Sequence, residues 1–204
     1  MALEVPAGLT LYFCRHGETE ANVDKRFQGR SIDTPLTENG VAQAQAIGAM
    51  LREFDPDDLE WVSSPLERAQ ATMELIRDAM DLPLEGFRLD ERLLEIDLGA
   101  WDGLTAQEAE ARFPQAYAAR AKDKWNVSVP GGGENYASVA QRMTSFVEDM
   151  QADTFAVSHG AATRILRGLF GAMTWQQISD LDEKQGVLFR VRGSTVERFE
   201  AKSA

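Results

Sequence analysis

The stretch Leu11-Tyr12-Phe13-Cys14-Arg15-His16-Gly17-Glu18-Thr19 decides the reading of this chain. Four apolar residues run straight into a cation, an imidazole and a glycine. The apolar run predicts a buried strand over residues 9–14, and burial fixes the position of whatever follows it. A glycine allows backbone angles that a side chain forbids. The polar residues then fall at the carboxyl end of the strand, where open α/β sheets bind ligands. Arginine beside histidine suits an anion: the guanidinium fork matches phosphate oxygens, and a neutral imidazole can attack phosphorus.

The pattern recurs. The chain has two histidines, and the second closes Phe155-Ala156-Val157-Ser158-His159-Gly160, again an apolar run, a histidine and a glycine. A lone histidine is read first as a packed or surface residue. Two in matching strand-end contexts point to a shared site.

Strand–helix alternation surrounds these two points. Thr37 reads as an N-cap, followed by Val41, Ala44, Ile47, Gly48 and Leu51 at helical spacing. Leu59–Ser63 reads as a strand. Ser64-Pro65-Leu66-Glu67 reads as a helix start with serine as cap and proline at the first helical position. Ala69, Met73, Ile76 and Met80 form that helix's buried stripe.

Residues 84–89 suggest a short strand and 93–103 a shaped loop. Residues 105–124 read as helical, interrupted by Pro114, and 130–134 as a tight Pro-Gly-rich loop. Tyr136, Val139, Met143, Phe146 and Met150 mark an amphipathic helix. A strand over 154–158, a helix over 161–171 ended by Gly171, and a hairpin turning at Gly193-Ser194 complete the pattern. The expectation is α/β: three layers, a mainly parallel central sheet with helices on both faces, and an antiparallel C-terminal edge.

At 204 residues the chain fits one domain, 1–204, with a sizeable core. The net charge of −12 opposes binding to nucleic acid or an anionic membrane, so an anionic substrate must be held by local arginines. No signal peptide and no membrane-length apolar run is visible. The single cysteine excludes an internal disulfide and fits a reducing cytoplasm. The oligomeric state is not fixed by the sequence, and a homodimer stays open.

Other chemistries fail on the same residues. A cysteine phosphatase needs an arginine where Glu20 follows Cys14. No G-x-S-x-G elbow surrounds any serine. Gly131-Gly132-Gly133 lacks the lysine and hydroxyl of a P-loop. Two histidines without ligand spacing argue against zinc.

The ordered blocks resemble the signature of the histidine phosphatase superfamily, the phosphoglycerate-mutase-like enzymes. They are Arg15-His16-Gly17-Glu18-Thr19 with Asn22; Phe27-Gln28-Gly29 and Asp33 to Thr37 with Gly40; Ser63 to Ala69 with Thr72; Leu94 to Gly103; Pro130 to Glu134 with Arg142; and Ser158-His159-Gly160. The resemblance implies a phosphomonoesterase acting on a small phosphorylated metabolite through a phosphohistidine on His16, without metal or cofactor.

In that reading Arg15, Arg68 and His159 surround the transferred group, with His159 expected as a cation. Asn22 bonds a phosphate oxygen, and Gln28, Gly29 and Gly160 line the phosphate or substrate side. Glu95 exchanges the proton, with Asp97 as its rival. Trp101 packs under the loop, Arg164 is a lesser candidate, and the basic residues of 112–124 read as a solvated helical face, with selection of a second substrate charge as the alternative.

The same resemblance allows a 2,3-bisphosphoglycerate-dependent mutase. Only 26 residues, Leu104 to Val129, separate the acidic loop from the Pro-Gly loop, without an Arg-Arg pair, and Ala161 replaces the mutases' asparagine. These departures favour the phosphatase branch. A catalytically silent binding protein would be expected to lose the nucleophile or an arginine, and both are retained.

Overall fold

The structure is a computed structural model and describes residues 1–54, 56 and 58–200. In chain order its elements are β1 (Leu11–Arg15), α1 (Glu20–Val23), α2 (Glu38–Arg52), β2 (Glu60–Ser63), α3 (Glu67–Ala79), β3 (Arg88–Leu89), α4 (Ala106–Arg112), α5 (Pro114–Lys122), α6 (Tyr136–Glu148), β4 (Thr154–Ser158), α7 (Gly160–Phe170), α8 (Trp175–Asp180), β5 (Val187–Arg192) and β6 (Thr195–Glu200).

The strands form one sheet in the order β3-β2-β4-β1-β5-β6. The first four are parallel, while β5 runs antiparallel to β1 and β6 antiparallel to β5. This is the expected three-layer arrangement with its antiparallel C-terminal edge. Alternation along each strand decides the layers. Leu11 and Phe13 pack with α6 and α7 on one face; Tyr12 and Cys14 pack with α2 and α3 on the other.

From β1 the chain crosses towards β2, and from β4 it crosses the opposite way to β5. The carboxyl ends of β1 and β4 therefore flank the point where strand order reverses, the favoured ligand position in such sheets. Register aligns Arg15 with Ser158, so His16 and His159 leave neighbouring strands side by side.

Several local expectations hold. Thr37 caps α2 by accepting from the Gly40 N–H at 3.0 Å, and Pro114 opens α5 at its first turn. One is corrected. The Ser64 hydroxyl does not cap α3. Asp33, from the connection between α1 and α2, does so, accepting from the N–H of Glu67 at 2.6 Å and of Arg68 at 3.4 Å. A carboxylate at a helix's positive pole is worth more than a neutral hydroxyl, and Ser64 is thereby released for the site.

The His16 loop is pressed against α2 through two facing glycines. A Cβ on Gly40 would strike the Glu18 carbonyl oxygen and lie 2.8 Å from the Glu18 nitrogen; one on Gly17 would meet Gly40 backbone. Overpacking of this kind costs about 1–3 kcal/mol, against a gain of about 1 kcal/mol in helix propensity. Gly40→Ala is expected to lower the urea midpoint and, because Glu18 follows His16-Gly17, activity as well. An unchanged midpoint with full turnover would contradict the close approach.

Candidate active site

His16 is buried, with 2% exposure. Its Nδ1 lies 2.7 Å from the Gly17 carbonyl oxygen, which accepts only from a protonated nitrogen. That contact sets the tautomer and leaves Nε2 with its lone pair. Burial, reinforced by Arg15 and Arg68, drives the imidazole pKa well below its ordinary value and keeps it neutral. The Gly17 N–H donates to Thr72 Oγ1 at 3.0 Å, and Thr72 donates to the Arg68 carbonyl at 2.7 Å, fixing the loop to α3.

His159 is fully buried, its ring centroid 5.1 Å from that of His16. Its Nε2 pairs with Ser64 Oγ at 2.7 Å. Burial, then Arg68 and His16, push its pKa well below the usual imidazole value. That direction is away from the expected cation.

Arg68 is also buried, and its guanidinium is held from four sides. It donates to the carbonyls of Ile32 at 3.1 Å, Gln28 at 3.4 Å and Gly29 at 2.8 Å, and to Asp33 Oδ1 at 3.0 Å. Arg15 Nε, Arg68 Nε and His159 Nδ1 are buried polar atoms with no hydrogen-bond partner among the described residues. A buried donor left unmade costs about 1–3 kcal/mol. Arginine donors in this condition near the neutral His16 suit an oxyanion.

Glu95 arrives from the loop after β3. Its Oε1 accepts from the N–H of Ile96 at 2.8 Å and of Ala162 at 3.3 Å, and its Oε2 from Ala161 at 3.1 Å. The carboxyl thus rests on the amino end of α7. Burial and then Glu183 raise its pKa; the Ile96 bond, Arg15 and Arg68 pull the other way, and the net shift is upward. Its backbone is locked by a polar frame. Arg30 and Arg142 both donate to the Glu95 carbonyl, at 2.8 and 3.2 Å, and both pair with Glu134, at 2.7 and 3.2 Å. Asp97, its rival, is turned away to accept from the Gly99 N–H at 2.8 Å.

Arg15, His16, Asn22, Gln28 and Glu95 line one cavity of about 790 Å³. Arg68 and His159 are not among its lining residues, and Arg68 lines a separate cavity with Asp33 and Pro35. Gly29 serves through its backbone: its carbonyl holds Arg68 and its N–H donates to Asp102 at 2.7 Å. Gly160 starts α7 at a spot where a Cβ would lie 3.3 Å from Arg15 Cζ. Trp101 is buried under the loop with Phe27 and Tyr117, as expected, and also reaches the cavity. Burial pushes the Cys14 thiol far up, which makes it inert.

Arg120, Lys124 and Arg164 surround the Tyr136 ring at 5.6, 5.9 and 5.7 Å from its centroid. Arg164 also donates to the Tyr136 hydroxyl. All four line the cavity, and Arg120 is buried rather than solvated. Of the basic residues in 112–124, Arg120 and Lys124 therefore join Arg164 in a cationic wall, whereas Arg112 and Lys122 are exposed and keep the solvated reading. Glu183 and Gln185 line the cavity as well.

The comparisons agree with this geometry. The profile of the histidine phosphatase superfamily (branch 1) matches residues 11–194. The human 6-phosphofructo-2-kinase/fructose-2,6-bisphosphatase 3 is 32% identical over 163 residues, covering 79% of this chain and 29% of that protein. This chain thus spans under a third of that relative's length. The adenosylcobalamin/alpha-ribazole phosphatase of Salmonella typhimurium is 31% identical over 163 residues, covering 78% of this chain and 77% of the relative. The mycobacterial glucosyl-3-phosphoglycerate phosphatase solved with VO3 superposes with a TM-score of 0.77 at 28% identity, covering 96% of this chain and 100% of that one. With the profile running from β1 to the final hairpin, and both histidines meeting where strand order reverses, the chain belongs to the histidine phosphatase superfamily, branch 1.

Proposed function

We propose that the chain, as one domain, is a phosphomonoesterase that hydrolyses a small phosphorylated metabolite through a phosphohistidine on His16. The observation that carries this is the His16 tautomer. With Nδ1–H committed to the Gly17 carbonyl, the Nε2 lone pair is the reactive one, in a cavity shared with Arg15 and Glu95.

In the first step Nε2 attacks phosphorus and the P–O bond to the leaving group breaks. Glu95 gives its proton to the departing oxygen. Arg15, Arg68 and the ring of His159 stabilise the charge on the equatorial oxygens, as preorganised donors do, and Asn22 adds a hydrogen bond. In the second step Glu95 takes a proton from water, the water oxygen attacks phosphorus, and the N–P bond breaks to return neutral His16 and phosphate. Arginines supply the positive charge, so no metal or cofactor enters.

The substrate carries a second polar or anionic group, met by Arg120, Lys124 and Arg164 around Tyr136. The vanadate complex of the mycobacterial relative supports an oxyanion site on this fold. A phosphate-release screen over phosphomonoesters, with 3-phosphoglycerate isomerisation followed in parallel, tests the reading. Phosphate release without isomerisation is expected. Fast isomerisation dependent on 2,3-bisphosphoglycerate would replace the phosphatase with a mutase.

Glu95 makes a pH prediction. The general acid must be protonated, so kcat/KM falls as pH rises through its elevated pKa. His16 must be neutral, so the acid limb lies well below the ordinary imidazole value. Glu95→Gln is expected to remove the alkaline limb and lower kcat by on the order of 10²–10⁴. The loss in kcat/KM shrinks for a p-nitrophenyl ester, whose leaving group departs with little protonation. An unchanged pH profile in Glu95→Gln would exclude it as the acid.

A further inference from the structure

The segment between α8 and β5 reaches back over the site. Asp182 anchors it, accepting from Arg167 at 2.9 Å and pairing with Arg198 at 2.7 Å. One residue on, Glu183 faces the cavity with its side chain about one-third exposed. Its backbone carbonyl accepts from Arg15 at 2.6 Å. Its carboxylate lies 2.8 Å from Arg164 through Oε1 and 3.8 Å from Arg15 through Oε2. Gln185 donates to Asn22 Oδ1 at 2.8 Å. Arg15, Arg164 and Asn22, three cavity groups suited to anionic or phosphoryl oxygens, are each engaged by this short segment. The close seat depends on Gly160, where a Cβ would fall 2.7 Å from Glu183 Oε2.

A carboxylate on a phosphate-binding arginine acts in two ways. It orients the guanidinium, and it repels a second anion on the same cation. Both effects strengthen where water is scarce. We propose that Glu183 is a specificity-determining residue that competes with the phosphoryl group for Arg15 and Arg164, so that inorganic phosphate is held weakly and leaves readily. This rests on the reading of Arg15 as a phosphoryl ligand. Product release sets turnover in many enzymes, and a cavity this rich in arginine would otherwise retain its product. The Glu183 contact ties that weakening to the inner cation, and its link to Arg164 carries the same competition to the outer wall.

The test is competitive inhibition of the full chain by inorganic phosphate and by orthovanadate, measured on the wild type, Glu183→Gln, Glu183→Ala and a distant control, Glu53→Gln. Each variant removes one negative charge. The Glu183 variants are expected to bind both anions about tenfold more tightly or better, with a lower KM for p-nitrophenyl phosphate, while the control stays at wild-type affinity. Loss of a merely structural contact would loosen binding, the opposite direction. Equal or weaker anion binding in both Glu183 variants overturns the proposal and leaves the site reading intact. Absence of competition by either anion in every protein overturns the site reading, and the proposal with it.

Discussion

Replacing His16 by alanine is expected to lower kcat on any phosphomonoester by on the order of 10⁵-fold or more, the scale at which loss of a covalent nucleophile acts. In the proposed mechanism every other group in the cavity works on a phosphoryl group that His16 must first accept, so no neighbour can substitute. His159 is the other imidazole, yet its Nε2 is committed to Ser64. The fold is expected to persist. His16 makes one local side-chain bond, to the Gly17 carbonyl, and lies beside His159 and arginines rather than in either apolar cluster. Circular dichroism and a thermal melt check this. The melt also carries a pH signature. A neutral buried imidazole with a depressed pKa contributes stability above its unfolded value, near 6.5, which is lost as pH falls below it. His16→Ala is therefore expected to lose less stability than the wild type on going from pH 7 to pH 5. Appreciable turnover in the variant would remove His16 from the mechanism.

Arg68→Ala is expected to damage activity and stability together. The side chain is wholly buried and satisfies three carbonyls and the Asp33 carboxylate. Its removal strands three carbonyl acceptors and leaves the half-buried Asp33 carboxylate with only its backbone N–H partners, at a cost of about 1–3 kcal/mol for each acceptor left unmade. It also frees the 28–33 loop that carries Gln28 and, in the proposed mechanism, removes a donor to the transferred group, worth on the order of 10²–10³ in kcat. Arg68→Lys keeps the charge but cannot bridge Gly29 and Asp33 with a planar fork, so it should recover part of the stability and little of the rate. Urea denaturation and steady-state kinetics separate the two losses. An Arg68→Ala protein as stable as the wild type would contradict the anchoring role.

The parts of the site legible in the sequence are those where one short segment carries both the burial signal and the reactive group. His16 and His159 each follow an apolar strand, so their position could be read directly. Residues whose spacing serves packing equally well were harder. Tyr136 opens the buried stripe of α6, and only the fold shows its hydroxyl turned to Arg164. Arg120 and Lys124 occupy a polar, alanine-rich stretch that looks solvated until α5 folds over the cavity. Ser64 carried a good capping pattern, but Asp33, distant in sequence, takes the cap and leaves the hydroxyl to His159. Glu183 sits in a connection with no motif, and its role depends on a meeting with Arg15 from the other end of the chain. The short α8 carries little apolar periodicity, and its signal is the capping box of Thr174 and Gln177.

The most direct test of the central claim is rapid acid-free quenching of the enzyme during turnover, followed by peptide mass spectrometry under conditions that preserve phosphoramidates. A single phosphoryl group on the peptide containing His16, formed and lost at rates compatible with kcat, is the predicted result. A phosphoryl group on another residue would assign the attack to a different nucleophile, and none at all together with inversion of configuration at a chiral phosphorus would show direct attack by water; either contradicts the account.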